Sequence, residues 1–130
     1  MQPSAQLSCE ILVVEDDDNI RKVLSDILGD DGYRVHTVAH GQEALDYLVQ
    51  TNTLPQLILL DLMMPTMTGW EFRTVQRQNP RLQAIPVAIL SAISNRLDPR
   101  QIVELDAVAF LGKPIDWARL DRVVTQYCPP

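Results

Sequence analysis

The stretch Leu57-Ile58-Leu59-Leu60-Asp61-Leu62-Met63-Met64-Pro65 decides the fold. Apolar residues run unbroken into a single carboxylate, and two methionines and a proline close the stretch. A short apolar run bounded by turn signals reads as a strand buried on both faces, the pattern of a parallel sheet. Asp61 then stands where that strand leaves the sheet. In an open parallel sheet, ligands bind in the crevice outside the carboxyl ends of the strands.

Working outward, Ile11 to Val14 is a second apolar, β-branched run, and it ends in Glu15-Asp16-Asp17-Asp18. Asn19 can cap a helix whose apolar positions Ile20, Val23, Leu24, Ile27 and Leu28 fall at three- and four-residue spacing. Gly29 and Gly32 punctuate, Tyr33 to Val38 alternates as a strand, and Gly41 to Gln50 gives a helix with Ala44, Leu45 and Leu48 inward. Beyond the central run, Thr68 or Gly69 opens a third helix that closes before Asn79-Pro80, because proline disfavours helix in the residue before it. Pro86 to Leu90 is an apolar strand ending in Ser91-Ala92, and Pro99 suits the first turn of a helix running to about Leu105. Val108 to Leu111 is a short strand leading into Gly112-Lys113-Pro114. A last helix starts at Asp116 or Trp117 and turns Leu120, Val123, Val124 and Tyr127 inward. Strands alternating with helices through short loops give an α/β fold, a doubly wound five-stranded parallel sheet with five helices. With right-handed crossovers the economical topology is flavodoxin-like, strand order 2-1-3-4-5. Residues 1–8 read as a flexible tail and 9–130 as one domain.

A chain of 130 residues has room for one real core, and 46% hydrophobic content is too high for disorder. The net charge of −6 argues against nucleic acid or an anionic membrane as the main partner, since both demand a basic face. Of the 11 basic residues only Lys22 and Lys113 are lysines. Cys9 and Cys128 lie near opposite ends of the chain, make neither a disulfide framework nor a zinc motif, and read as incidental. The polar start, Met1 to Ser8, has no signal-peptide core, and no apolar run is long enough to span a bilayer. A cytoplasmic protein with reduced thiols is the expectation. His36 and His40 show no metal-ligand spacing, and Met64 and Met67 read as packing residues.

In this topology every strand points its carboxyl end to the same edge. The first delivers Glu15, Asp16 and Asp17, the third Asp61, the fourth Ser91 and the fifth Lys113. Clustered carboxylates raise one another's cost of ionisation unless a cation joins them, and hard oxygen ligands in a partly hydrated site favour magnesium. Lys113 adds a positive point charge and Ser91 a hydroxyl donor. Such an edge can bind a tetrahedral anion at Asp61 and neutralise it, which is the apparatus of phosphoryl transfer. A carboxylate nucleophile forming an acyl phosphate is a recognised form of covalent catalysis.

Ile11 to Asp17, Leu60-Asp61-Leu62-Met63-Met64-Pro65 with Gly69, Ser91-Ala92, and Phe110-Leu111-Gly112-Lys113-Pro114 occur in that order, each piece closing a strand. On these residues the chain resembles the receiver domain of two-component response regulators, in its chemotaxis-regulator-like single-domain form, over roughly residues 10 to 128. The resemblance implies a signalling switch rather than an enzyme, one that catalyses only its own phosphorylation and slow dephosphorylation. Asp61 would accept a phosphoryl group from a histidine kinase or a histidine phosphotransfer protein. Glu15, Asp16, Asp61 and the backbone carbonyl of Met63 would hold Mg2+ (or Mn2+). Ser91 would hydrogen-bond the phosphoryl group and Lys113 would pair with it. Phe110 would swing inward as Ser91 moves, remodelling the face formed by the fourth helix, fifth strand and fifth helix, to which a downstream protein binds. The Lys113–Pro114 bond would be cis, a geometry nearly confined to X–Pro bonds. A monomer or a phosphorylation-dependent dimer is expected.

Several positions depart from the family pattern. Glu15 replaces a more frequent Asp, so its longer side chain is expected to reach the metal through water. Thr68 stands where Asp often precedes the glycine, and Ser91 for Thr keeps the hydroxyl. Met63 and Ile93 border the path of an attacking water and are both apolar, which implies slow loss of the phosphoryl group. Leu97, Ile102 and Val103 form a candidate docking or dimer face. Asp17 reads as a helix cap rather than a ligand. Two rival readings are a magnesium-dependent phosphohydrolase with Asp61 as nucleophile, and a receiver-like scaffold not regulated by phosphorylation. The hydrolase is weakened by Met63, where a second acid would be needed.

Overall fold

A computed structural model describes residues 9–92 and 96–129 of the chain. The proposed tail, residues 1–8, and Ile93 lie outside the described residues. The elements alternate strictly: β1 (Glu10–Val14), α1 (Asp18–Asp30), β2 (Arg34–Val38), α2 (Gly41–Gln50), β3 (Leu57–Asp61), α3 (Gly69–Gln78), β4 (Val87–Ala92), α4 (Pro99–Leu105), β5 (Ala109–Lys113) and α5 (Trp117–Tyr127). All neighbouring strands pair in parallel, in the order β2-β1-β3-β4-β5. The doubly wound sheet read from the sequence is the fold.

The period of two along each strand sorts its side chains onto opposite faces. Leu12, Val14, Ile58, Leu60 and Ile89 pack with Ala44, Leu45 and Leu48 of α2, Phe72 of α3 and Leu105 of α4. Ile11, Val13, Leu57, Leu59, Ala88 and Leu90 pack instead with Leu24 and Leu28 of α1 and Leu120, Val123 and Val124 of α5. Both faces of the central strands are therefore covered, and β1 and β3 are buried at every residue. Removing a buried leucine side chain from such a core costs about 2–5 kcal/mol. β2, at the edge, is only partly covered.

Several boundaries differ from the sequence reading. Asp17 caps α1, as one of the two sequence readings had it, and not Asn19: its carboxylate accepts from the N–H groups of Asn19 and Ile20 at 2.9 and 3.0 Å. Val23 faces outward, because the helix seats on the sheet through Leu24 and Leu28. β4 and β5 run on to Ala92 and Lys113, because their pairing continues through Ser91–Gly112 and Ala92–Lys113. Leu97 packs against the core, whereas Ile102 and Val103 of α4 are exposed.

The cysteines require a larger correction. Cys9 and Cys128 are neither incidental nor free: a disulfide joins them, with Cα atoms 5.6 Å apart. Residues 119 apart in sequence meet because α5 runs back beside the amino end of β1. Cysteine spacing alone carries no trace of that return. Among the described residues, no helix is long and apolar enough to cross a membrane.

Candidate functional site

The carboxyl edge of the sheet assembles the site. β1 ends at Val14, so the next two residues, Glu15 and Asp16, leave the sheet beside the end of β3, which is Asp61 itself. One carboxylate oxygen from each of Glu15, Asp16 and Asp61 lies within 4.8 Å of the others. Lys113, the last residue of β5, reaches across with its Nζ 2.8 Å from Glu15 Oε1 and 3.2 Å from Asp61 Oδ1. Glu15 is wholly buried and Asp61 nearly so, while Asp16 is the more open acid. The peptide bond between Lys113 and Pro114 is cis.

This crowding sets the electrostatics. Burial, with Asp16 and Glu15 close by, pushes the Asp61 carboxyl up to about 8, against a smaller opposing pull from Lys113. Asp16 is held below the usual carboxylate range, chiefly by its hydrogen bond with Asp61. Burial pulls the Lys113 ammonium down, but the Glu15 and Asp61 carboxylates outweigh it and leave Lys113 above the ordinary lysine value. Burial and the neighbouring acids thus make the charged form of Asp61 costly, a cost that a cation in the cluster would lower.

Glu15 is fixed from both sides. Its Oε2 accepts from the Asp17 N–H at 3.0 Å. Its buried Oε1 accepts no hydrogen bond of proper geometry and faces the Lys113 ammonium off the hydrogen-bonding direction. A hard, all-oxygen donor set with one such under-satisfied buried atom fits a magnesium-class ion, not a soft metal. The backbone N–H of Met63 approaches Asp61 Oδ1 at 3.4 Å, so the loop after β3 folds back over the carboxylate.

Ser91 is half-buried and sits one residue beyond Leu90, the register partner of Asp61. Among the described residues its hydroxyl makes only a long contact, 3.4 Å, with the carbonyl of Ala92. Phe110 is half-buried, pairs in register with Ile89 and packs against the α2–α4 side of the core. The side chain of Met63 is exposed. Glu15, Asp16, Asp61 and Lys113 thus meet in one cluster, with Ser91 at the neighbouring strand end, whereas Asp17 turns away to cap α1.

One contributor escaped the sequence reading. Arg21 of α1 donates from Nη1 to the carbonyl oxygen of Glu15 at 2.8 Å and from Nη2 to Asp18, tying the acidic turn to the first helix. The three-residue spacing of Asp18 and Arg21 was a visible signal for the second contact, and nothing local pointed to the first.

The model of the response regulator receiver domain family matches residues 11–125. The chain belongs to that family. A protein of Leptolyngbya boryana described as an uncharacterised 14.6 kDa protein in the sodA1 3′ region is 35% identical to this receiver domain over 128 residues, covering 98% of this chain and 95% of that protein. The response regulator Rre1 of Synechocystis is 35% identical over 115 residues, 88% of this chain but 49% of its own length. Among solved structures, the receiver domain of the sensor histidine kinase PA1611 from Pseudomonas aeruginosa superposes with a TM-score of 0.82 at 26% identity. That likeness covers 95% of this chain and 99% of the other, and the PA1611 structure holds a magnesium ion coordinated in its active-site cleft. This receiver domain is therefore a signalling module of two-component systems, with an acidic pocket compatible with magnesium.

Proposed function

We propose that Asp61 is the phosphoacceptor of a two-component switch, charged by a histidine kinase or a histidine phosphotransfer protein. A carboxylate oxygen of Asp61 attacks the phosphorus of a phosphohistidine. The P–O bond forms as the P–N bond breaks, leaving an aspartyl phosphate and a free imidazole on the partner. The observation that carries this reading is the buried Asp61 carboxylate, held between two acids and a lysine at 3.2 Å. Glu15, Asp16, Asp61 and the Met63 carbonyl would hold Mg2+ or Mn2+, a reading supported by the magnesium in the PA1611 receiver. Such an ion would neutralise charge on the transferring phosphoryl group.

The chain's own residues supply the rest. Lys113, already between Glu15 and Asp61, turns its ammonium to a phosphoryl oxygen as the new dianion forms. Ser91, whose hydroxyl has no strong competing partner among the described residues, donates to another. Its inward movement gives Phe110 room to follow, and the change is read on the α4–β5–α5 face by a downstream protein, with the exposed Ile102 and Val103 available for contact or dimerisation. On the other side, Ile20, Val23, Pro114, Ile115 and Trp117 line an apolar groove of about 280 Å³ that opens beside Lys113. That groove suits the apolar flank of a phosphodonor helix. Residues 9–130 act as one cytoplasmic receiver that catalyses only its own phosphorylation and slow dephosphorylation.

Incubation with magnesium and acetyl phosphate, followed by intact-mass measurement, tests the reading. One phosphoryl group retained on the parent and absent from Asp61→Asn is the expected result. Rapid multiple turnover without retained phosphate would indicate a phosphohydrolase. No modification at all would indicate a scaffold that works without phosphorylation.

A further inference from the structure

At the opposite edge of the sheet from the acids lies the Cys9–Cys128 disulfide. Cys9 immediately precedes β1, and Cys128 is the cap residue of α5. Their Cα atoms are 5.6 Å apart, the separation most native disulfides show, and the bond links them across 119 residues. Both are nearly closed to solvent and sit in the apolar cluster with Ile11, Leu28, Leu120 and Val124.

We infer that Cys9 and Cys128 form a reversible thiol–disulfide clasp, exchanging with a dithiol reductant, that holds the two ends of the domain together. Free cysteine behaves as a small buried hydrophobe, so the same apolar shell accommodates the reduced pair as readily as the bond. The clasp also carries neighbours. The Arg34 N–H donates to the Cys9 carbonyl at 2.9 Å, and the Tyr33 hydroxyl donates to the Cys128 carbonyl at 3.2 Å. The start of β2 therefore leans on both cysteines, and the Cys128 N–H closes the last turn of α5 on Val124 at 2.7 Å. Cys128 caps the last turn of α5, so opening that one turn, held by the Val124 and Tyr33 hydrogen bonds, would uncover the bond without unfolding the sheet.

The exchange balances. A thiolate of the reductant attacks one cysteine sulfur, the Cys9–Cys128 bond breaks, and the departing thiolate takes a proton. The reductant's second thiol then attacks the mixed disulfide and releases the other cysteine. Two electrons and two protons reach the cysteines, and the dithiol ends as a disulfide. Glu15, Asp16, Asp61 and Lys113 lie at the carboxyl edge, so the step leaves the acidic cluster as it stands.

Thiol counting under native conditions tests the clasp, using the full chain held in oxidised glutathione or in dithiothreitol, then denatured with an alkylating reagent. No label after oxidation and two labels after native reduction are expected, with no covalent dimer. In urea, the oxidised chain should unfold at a midpoint higher by about 1 M than the reduced chain. The double variant Cys9→Ala with Cys128→Ala should give one and the same urea midpoint in both buffers. Hydrogen exchange after reduction should quicken at the Arg34 and Cys128 amides and stay unchanged at the Leu62 and Gly69 amides near the acids. Two labels after oxidation, no reduction without denaturant, equal midpoints, or exchange raised equally at both edges would each overturn the inference. Neither thiol counts nor urea midpoints depend on phosphorylation, so this proposal stands or falls apart from the role given to Asp61.

Discussion

Asp61 stores the clearest single-residue consequence. Unfolded, its carboxyl titrates near the ordinary 3.8, whereas folded it keeps its proton to about 8. Between those values the folded chain binds more proton than the unfolded one, so the stability of the metal-free protein falls as pH rises from about 4 to 8. Asp61→Asn removes that loss. In urea at pH 8 without metal, the variant should exceed the parent by about 1–3 kcal/mol, with the gap closing toward pH 4. A parent that is equally stable at pH 8 would refute this account of the pocket. Adding magnesium should stabilise the parent in proportion to RT ln(1 + [L]/Kd), and Asp16→Asn should blunt that gain. The apolar positions Met63 and Ile93 lead to a second prediction, read as decay of the purified phosphorylated form. Met63→Asn with Ile93→Glu should shorten its lifetime on the order of tenfold or more, by giving water polar partners near the acyl phosphate; unchanged decay would rule the idea out. The acids, Ser91 and Lys113 were legible in the sequence because each stands at or just past the end of an apolar run, and the sheet must then deliver them to one edge. Arg21 was not, since its bond to the Glu15 carbonyl depends on how the turn between β1 and α1 closes.

At the scale of elements, the joint between α3 and α4 stands out. The buried Arg73 of α3 donates to the carbonyls of Leu105 at 2.7 Å and Asp106 at 2.9 Å, and to Gln76 Oε1 at 2.7 Å. Gln76 in turn donates to the carbonyls of Leu82 and Ile85. Trp70 donates to the Gln101 carbonyl at 3.0 Å, and the exposed Arg77 to that of Glu104 at 3.1 Å. The short helix α4 is therefore held by its carbonyl oxygens from α3, the helix that begins just after the Asp61 loop. Arg73→Met leaves buried carbonyls without donors and should cost about 2–4 kcal/mol in urea unfolding. Arg77→Ala, at a solvent-exposed contact, should cost under about 0.5 kcal/mol. Equal effects would mean the buried network does not fix α4. Gly41, the first residue of α2, is likewise a joint: a Cβ there would stand 2.6 Å from Met67 Sδ in the loop after β3. Gly41→Ala should destabilise by about 1–3 kcal/mol, and Met67→Ala in the same chain should recover part of it. Element order and most boundaries were readable, because apolar periodicity places the strands and helices and Thr68 and Pro99 mark helix starts, whereas the Asp98 cap appears only in the structure. Nothing in the polar sequence of α3 marks Arg73 and Gln76 as buried; the packing of the helix against its neighbours buries them.

For the molecule as a whole, the sequence carried the sheet order because short loops and right-handed crossovers leave few alternatives. It did not carry the cysteine bond, which depends on where the tenth element ends relative to the first. That closure gives the domain a ring-like chain path. With Cys9 and Cys128 separated by no more than a short peptide's reach, a brief linker could join the two ends. New termini could then be opened at the exposed Asn52–Thr53 turn, where no strand or helix is interrupted. Such a circular permutant should keep its acidic edge intact, and the same geometry would let the domain be spliced into a surface loop of another protein with both junctions at one point.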